Sequence, residues 1–154
     1  MTTPDQAAPT PTSTIDEQTN LCFGCGTQNP QGLHLHFVLH TDAPEALRAS
    51  ASIQLSRTYE GAPGFVHGGI IATLLDEAMS KLNRPAGLLA MTRHLEIDYL
   101  RPTPVDQPLT VTAQHLRREG RKLFHTATLH HQDGTLLAQA KALFLVIDPS
   151  RIPR

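Results

Sequence analysis

Apolar residues along the chain change period, and the change orders its elements. Ile70, Ile71, Leu74, Leu75, Ala78, Met79 and Leu82 recur at helical spacing behind a loop rich in glycine and proline, Tyr59 to Val66, and the triplet His67-Gly68-Gly69. This predicts a helix that begins near Gly68 or Gly69, buries one broad stripe, and ends near Asn83-Arg84-Pro85, where proline disfavours further helix. Elsewhere the period is two. Leu33, Leu35, Phe37 and Leu39 alternate with His34, His36 and Val38, and Leu47 to Leu55 alternates through Ala49, Ala51 and Ile53. Leu88 to Leu100 sets Leu95, Ile97 and Tyr99 against His94, Glu96 and Asp98, and three more strands are predicted over Leu109–Leu116, Lys122–His131 and Leu136–Ile147. Turns are expected at Asn29-Pro30-Gln31-Gly32, Asp42-Ala43-Pro44-Glu45, Arg101-Pro102-Thr103-Pro104, Arg118-Glu119-Gly120-Arg121 and Gln132-Asp133-Gly134. The order β-β-α-β-β-β-β implies an α+β domain in which an antiparallel sheet curls around one long helix.

The helix carries chemistry on its polar side. Glycines at its start leave free N–H groups at the positive end of the dipole, a ready anion or oxyanion site, and lack the Cβ atoms that would hold a ligand off the main chain. Asp76 lies opposite the apolar stripe, near Gly69, Ala72, Thr73 and Ser80, which suggests a face meeting another helix or a ligand. Seven residues separate Gly69 from Asp76, roughly 10 Å along the axis at 1.5 Å per residue. One reacting carbonyl cannot touch both. If both act, they come from two copies related by a twofold axis, so catalysis by this pair requires a dimer.

Length and composition narrow the class. A chain of 154 residues is one domain with room for a core. A formal charge of −1, scattered basic residues and the absence of tryptophan argue against a nucleic-acid partner. No apolar run reaches the ~18 residues of a membrane span and no signal-peptide core is visible, so a cytoplasmic protein without a membrane partner is expected. Residues 1–20, rich in Thr, Pro, Gln and Ala, read as a disordered tail, or as an arm that orders on a neighbouring chain. The folded domain is expected over 21–149, with a short tail at 150–154. Cys22-Phe23-Gly24-Cys25 could be half a zinc site or a redox pair; with no other cysteine, a tight turn bearing two partly buried thiols is favoured and no metal is assigned. Glu77 and Lys81, four apart, read as a surface ion pair. His125, His130 and His131 read as exposed strand positions.

These residues carry a resemblance. The chain resembles hotdog-fold thioesterases of the PaaI-like group from about Leu21 to Pro149. The most specific stretch is Gly64-Phe65-Val66-His67-Gly68-Gly69 with Leu74-Leu75-Asp76-Glu77-Ala78-Met79, an acid nine places after the histidine. Cys22-Phe23-Gly24-Cys25-Gly26, Asn29-Pro30, Gly32-Leu33 and Tyr99-Leu100-Arg101-Pro102 support it. The resemblance implies an acyl-CoA thioester hydrolase, assembled as a homodimer often paired again into a homotetramer, with sites at the dimer interface. CoA would be part of the substrate and no cofactor is implied. Asp76 would be general base or nucleophile, and the amide of Gly68 or Gly69 from the other chain would stabilise the oxyanion. His67 belongs to the same motif, with a structural role in the loop favoured over that of a base. Thr92 would hold the water or the carboxylate, and Arg121, with Arg118 and Lys122, would meet the CoA phosphates. Some relatives carry Asn or Gln six residues before the histidine, where this chain has Gly61, so Glu60, Tyr59, a water or backbone alone would serve there. Two alternatives stay open: Asp76 only bonds a neighbouring helix across the interface, or the domain binds an acyl-CoA without turnover.

Overall fold

The computed structural model describes residues 20–41 and 47–152; the expectations for the first 19 residues and for the Asp42–Glu45 turn lie outside them. The elements follow the predicted order: β1 (Val38–His40), β2 (Arg48–Gln54), α1 (Gly68–Ser80), β3 (Ala90–Tyr99), β4 (Pro108–Glu119), β5 (Lys122–His131) and β6 (Leu136–Val146). The strands form one antiparallel sheet in the order β1-β2-β4-β5-β6-β3, so β3 crosses over to the far edge. α1 lies across it, with Ile71, Leu74, Leu75, Ala78 and Met79 buried on the predicted stripe.

Sheet register explains why the helix can lie close. Ala49 pairs with Ala113, Ala113 with Ala127, and Ala127 with Ala140, so four alanines stand side by side across four strands. All are buried in the single core that α1 shares with Leu109, Val111, Leu129 and Phe144. Small side chains in one row make a shallow seat, while the larger residues flanking the row fill the space on either side of the helix.

Three expectations need correction. The first strand is confined to Val38–His40, because His34 takes a positive φ of 50° that breaks the pleat, and the amides of Leu33 and Leu35 bond the carbonyls of Phe23 and Gly24 in the cysteine turn. Leu33 and Leu35 still point into the core. The Glu77–Lys81 pair is not a surface pair: Nζ and Oε1 lie 2.6 Å apart with both side chains almost covered. His125 is not exposed but fully buried, bonded to Asn83 Oδ1 at 2.9 Å and to the His115 ring at 3.1 Å. Burial first, then the neighbouring His115, pushes His125 down to about 4. After β6, Pro149–Arg151 forms an exposed 3-10 turn capped by Asp148. Beyond α1 the chain continues as a 3-10 turn, Lys81–Ala86, which accommodates Pro85 and closes on left-handed Gly87.

Candidate active site

Asp76 is half-buried, and within the chain it meets β3. Its Oδ1 accepts a 2.7 Å hydrogen bond from Thr92 Oγ1 on β3. Simple alternation would put Thr92 on the outer face with His94, Glu96 and Asp98. The β3–β6 register slips between Thr92 and His94, leaving Arg93 as the extra residue, and Thr92 then stands opposite buried Phe144. A bulge of this kind re-aims one side chain while the strand continues. Burial raises the Asp76 pKa, the Thr92 hydroxyl pulls it down, and the neighbouring Glu77 charge raises it again; the net effect is upward from the ordinary carboxylate value. A carboxylate raised in this way is a stronger base once ionised.

The helix start is built by the loop before it. His67 is the N-cap, and its Nδ1 accepts the Gly69 N–H at 2.9 Å. Of the two amides expected to serve an oxyanion, Gly69 is therefore occupied by the cap. Gly68 N–H has no acceptor among the described residues. Its carbonyl accepts from Tyr99 Oη at 3.0 Å. β3 thus holds α1 at two points, Thr92 and Tyr99. The pairing of Tyr99 with Leu95 and Ile97 in the alternation signals its facing, but not its hydrogen bond.

Gly61 also has a physical explanation. A Cβ there would come within 3.0 Å of His67 Cα, so a side chain at this position crowds the residue that caps the helix. Glu60 beside it is engaged locally: its carboxylate accepts from Gly64 N–H and pairs with Arg57 at 3.4 Å.

The basic hairpin lies elsewhere on the sheet but at the same end as Thr92. Lys122 pairs with Leu145 and Leu145 with Met91, two strand spacings or about 10 Å in all. Arg118 and Arg121 are exposed, and their Nε atoms donate to the carbonyls of Gly120 and Val146. Arg117 pairs with Glu119 and lies over the Phe124 ring.

Asp76, Thr92 and Gly68 all border β3, an edge strand of ten residues whose outer side pairs with no other described strand. Met91, Tyr99 and Leu100 are about half exposed beside it. Gly68 and Asp76 stand eight residues apart on one helix, ~12 Å along its axis, so within one chain they cannot meet on one carbonyl.

Comparison with known proteins points the same way. Residues 63–138 match the sequence model of the thioesterase superfamily. Over 93 residues the chain is 43% identical to the acyl-coenzyme A thioesterase THEM4 of Rattus norvegicus, covering 60% of this chain and 40% of the relative. The chain thus spans about two fifths of that relative's length. Among solved structures it superposes on the E. coli PaaI protein from the phenylacetic acid degradation operon with a TM-score of 0.68 at 22% identity, over 75% of this chain and 81% of that one. A hypothetical thioesterase protein from Streptococcus pneumoniae TIGR4, solved with coenzyme A, gives a TM-score of 0.64 at 18% identity, over 72% and 88%.

Proposed function

We propose that this chain, which belongs to the thioesterase superfamily and has its hotdog fold, hydrolyses acyl-CoA thioesters, water and thioester giving a carboxylic acid and the free CoA thiol. The observation that carries the reading is Asp76: a half-buried carboxylate with a raised pKa, held in orientation by a hydroxyl that a strand bulge turns towards it. As general base it takes a proton from water while the water oxygen attacks the thioester carbon. The CoA sulfur then leaves as the tetrahedral intermediate collapses. The oxyanion is stabilised by Gly68 N–H of a second copy, the open amide at a positive helix end. Two copies join along β3, whose unpaired edge and exposed Met91, Tyr99 and Leu100 suit a strand-to-strand contact. Arg118, Arg121 and Lys122, at the same end of the sheet as Thr92, meet the phosphates of CoA.

One observation favours a second reading, an acyl-CoA-binding domain without turnover. Gly69 N–H is engaged by His67 and Gly61 offers no side chain, so a single amide is left for the oxyanion. Steady-state release of CoA thiol from aryl, short-chain and long-chain acyl-CoAs separates the two. Hydrolysis by the wild type that falls ~10²- to 10⁴-fold in Asp76→Asn supports the base. A wild type that binds these ligands but releases no thiol supports the binder, and hydrolysis undiminished in Asp76→Asn rejects Asp76.

A further inference from the structure

The only two cysteines of the chain meet the charged pair one residue past Asp76. Cys22 Sγ lies 3.6 Å from Glu77 Oε2, and Lys81 Nζ lies 2.7 Å from Cys25 Sγ and 2.6 Å from Glu77 Oε1. The two sulfurs and a Glu77 oxygen all lie within 4.8 Å of one another. The turn is packed directly on the helix: a Cβ at Gly24 would come within 2.7 Å of the Glu77 side chain. Gly26 N–H bonds Cys22 carbonyl at 2.8 Å, so one tight turn closes the Cys-x-x-Cys unit. That turn spans five residues, Cys22 to Gly26, and holds both cysteines on one side, with their sulfurs close enough for a side-chain rotation to bring them to bonding distance.

Two chemistries use such a cluster. A divalent metal would need to sit between Cys25 and Glu77, but the Lys81 ammonium is already bonded to both, and a second cation there meets its charge at close range. A disulfide needs no added charge and leaves the Glu77–Lys81 pair intact. We propose that Cys22 and Cys25 form a reversible dithiol–disulfide pair, with exposed Cys22 as the thiol that meets an oxidant and half-buried Cys25 as the thiol that resolves it. The oxidant is a hydroperoxide. The Cys22 sulfur attacks the peroxide and breaks its O–O bond, giving a sulfenic acid and an alcohol or water. Cys25 then attacks the Cys22 sulfur, the S–S bond forms, and the hydroxyl leaves as water with the Cys25 proton. Two thiols are oxidised by two electrons and one peroxide is reduced by two. The order of events agrees with the local chemistry: burial, then the Glu77 carboxylate, pushes the Cys25 thiol up to about 11 in spite of Lys81, so Cys25 is the poorer initiator. Closing the bond withdraws Cys25 from Lys81 and Cys22 from Glu77, so the state of the turn is felt on α1 beside the catalytic carboxylate.

The test is thiol alkylation and intact mass of the full chain after brief hydrogen peroxide treatment. The reduced wild type takes up two alkyl groups; the treated protein takes up none, weighs ~2 Da less as a monomer, and recovers both sites with dithiothreitol. Cys25→Ser stops at a sulfenic acid on Cys22 that dimedone traps, while Cys22→Ser retains an alkylatable Cys25 at the same exposure. Two thiols still alkylated in treated wild type, a disulfide between two chains, or a stoichiometric metal that shields both sulfurs would each overturn the proposal.

Discussion

Thr92→Val removes one hydroxyl and changes little else, so its effect can be worked from the geometry. In the native chain the hydroxyl donates to Asp76 Oδ1 at 2.7 Å and favours the ionised carboxylate. A hydrogen bond to a charged group contributes ~1.5–3 kcal/mol, and Thr92 is exposed in the single chain, which argues for the lower end of that range. Losing it removes the one contact that lowers the Asp76 pKa, so that pKa rises further above the ordinary carboxylate value. A general base works when deprotonated, so activity is lost as pH falls through this pKa. The assay is kcat/KM for CoA-thiol release as a function of pH, with the acyl-CoA that wild type hydrolyses fastest. The acid limb of Thr92→Val should move to higher pH with most of the high-pH plateau retained, and Thr92→Ser should keep the wild-type limb. An acid limb that stays in place, or moves down, would refute the role given to this hydrogen bond.

Other outcomes follow from the same contacts. Lys81→Met leaves Glu77 buried without its cation and should lower unfolding free energy in urea by ~3–5 kcal/mol, most of it recovered when Glu77→Gln is added. Asp76→Asn removes a carboxylate whose folded pKa is raised; since the folded state then disfavours the ionised form at neutral pH, the melting temperature should rise, on the order of 2 °C, as activity falls. His125, with an ordinary value of 6.5 and about 4 in the fold, takes up its proton more readily when unfolded. Stability should therefore fall by up to about 3 kcal/mol as pH drops from 6.5 towards 4, and His125→Gln should flatten that part of the urea-unfolding profile. Gly61→Asn should not restore a missing catalytic amide: its Cβ crowds His67 Cα, and a loss of ~1–3 kcal/mol by urea unfolding is expected.

Periodicity carried the fold because each element announces itself locally. The helical stripe from Ile70 to Leu82 and the alternation from Leu109 to Ile147 are properties of neighbouring residues, and the structure keeps both. His125 was readable too: Leu123, His125, Ala127 and Leu129 share one parity and all are buried, yet its polarity argued for the surface. The first strand was over-extended because the positive φ of His34 comes from the cysteine turn packed against it, which alternation cannot show. Asp76 and the helix-start glycines were legible from spacing and residue type. The bulge at Arg93 was not, so the inward facing of Thr92 had no support in simple alternation. Contacts across 56 residues, such as Lys81 to Cys25, leave no periodic trace.

Mixing two single-site variants tests whether one copy's Asp76 works with another copy's Gly68. Gly68→Pro deletes only the N–H: it is the first helical residue, where proline is well tolerated, and His67 before it has the extended backbone proline demands, with ψ of 136°. A side chain at Gly68 meets Tyr99 at an ordinary 3.6 Å. Gly68→Pro and Asp76→Ala should each lose ~10²-fold or more in kcat as homodimers. Unfolded and refolded together in equal amounts, half the dimers carry one intact site of two, and activity should return to about a quarter of wild type. A mixture no more active than its parts would contradict a site shared between copies.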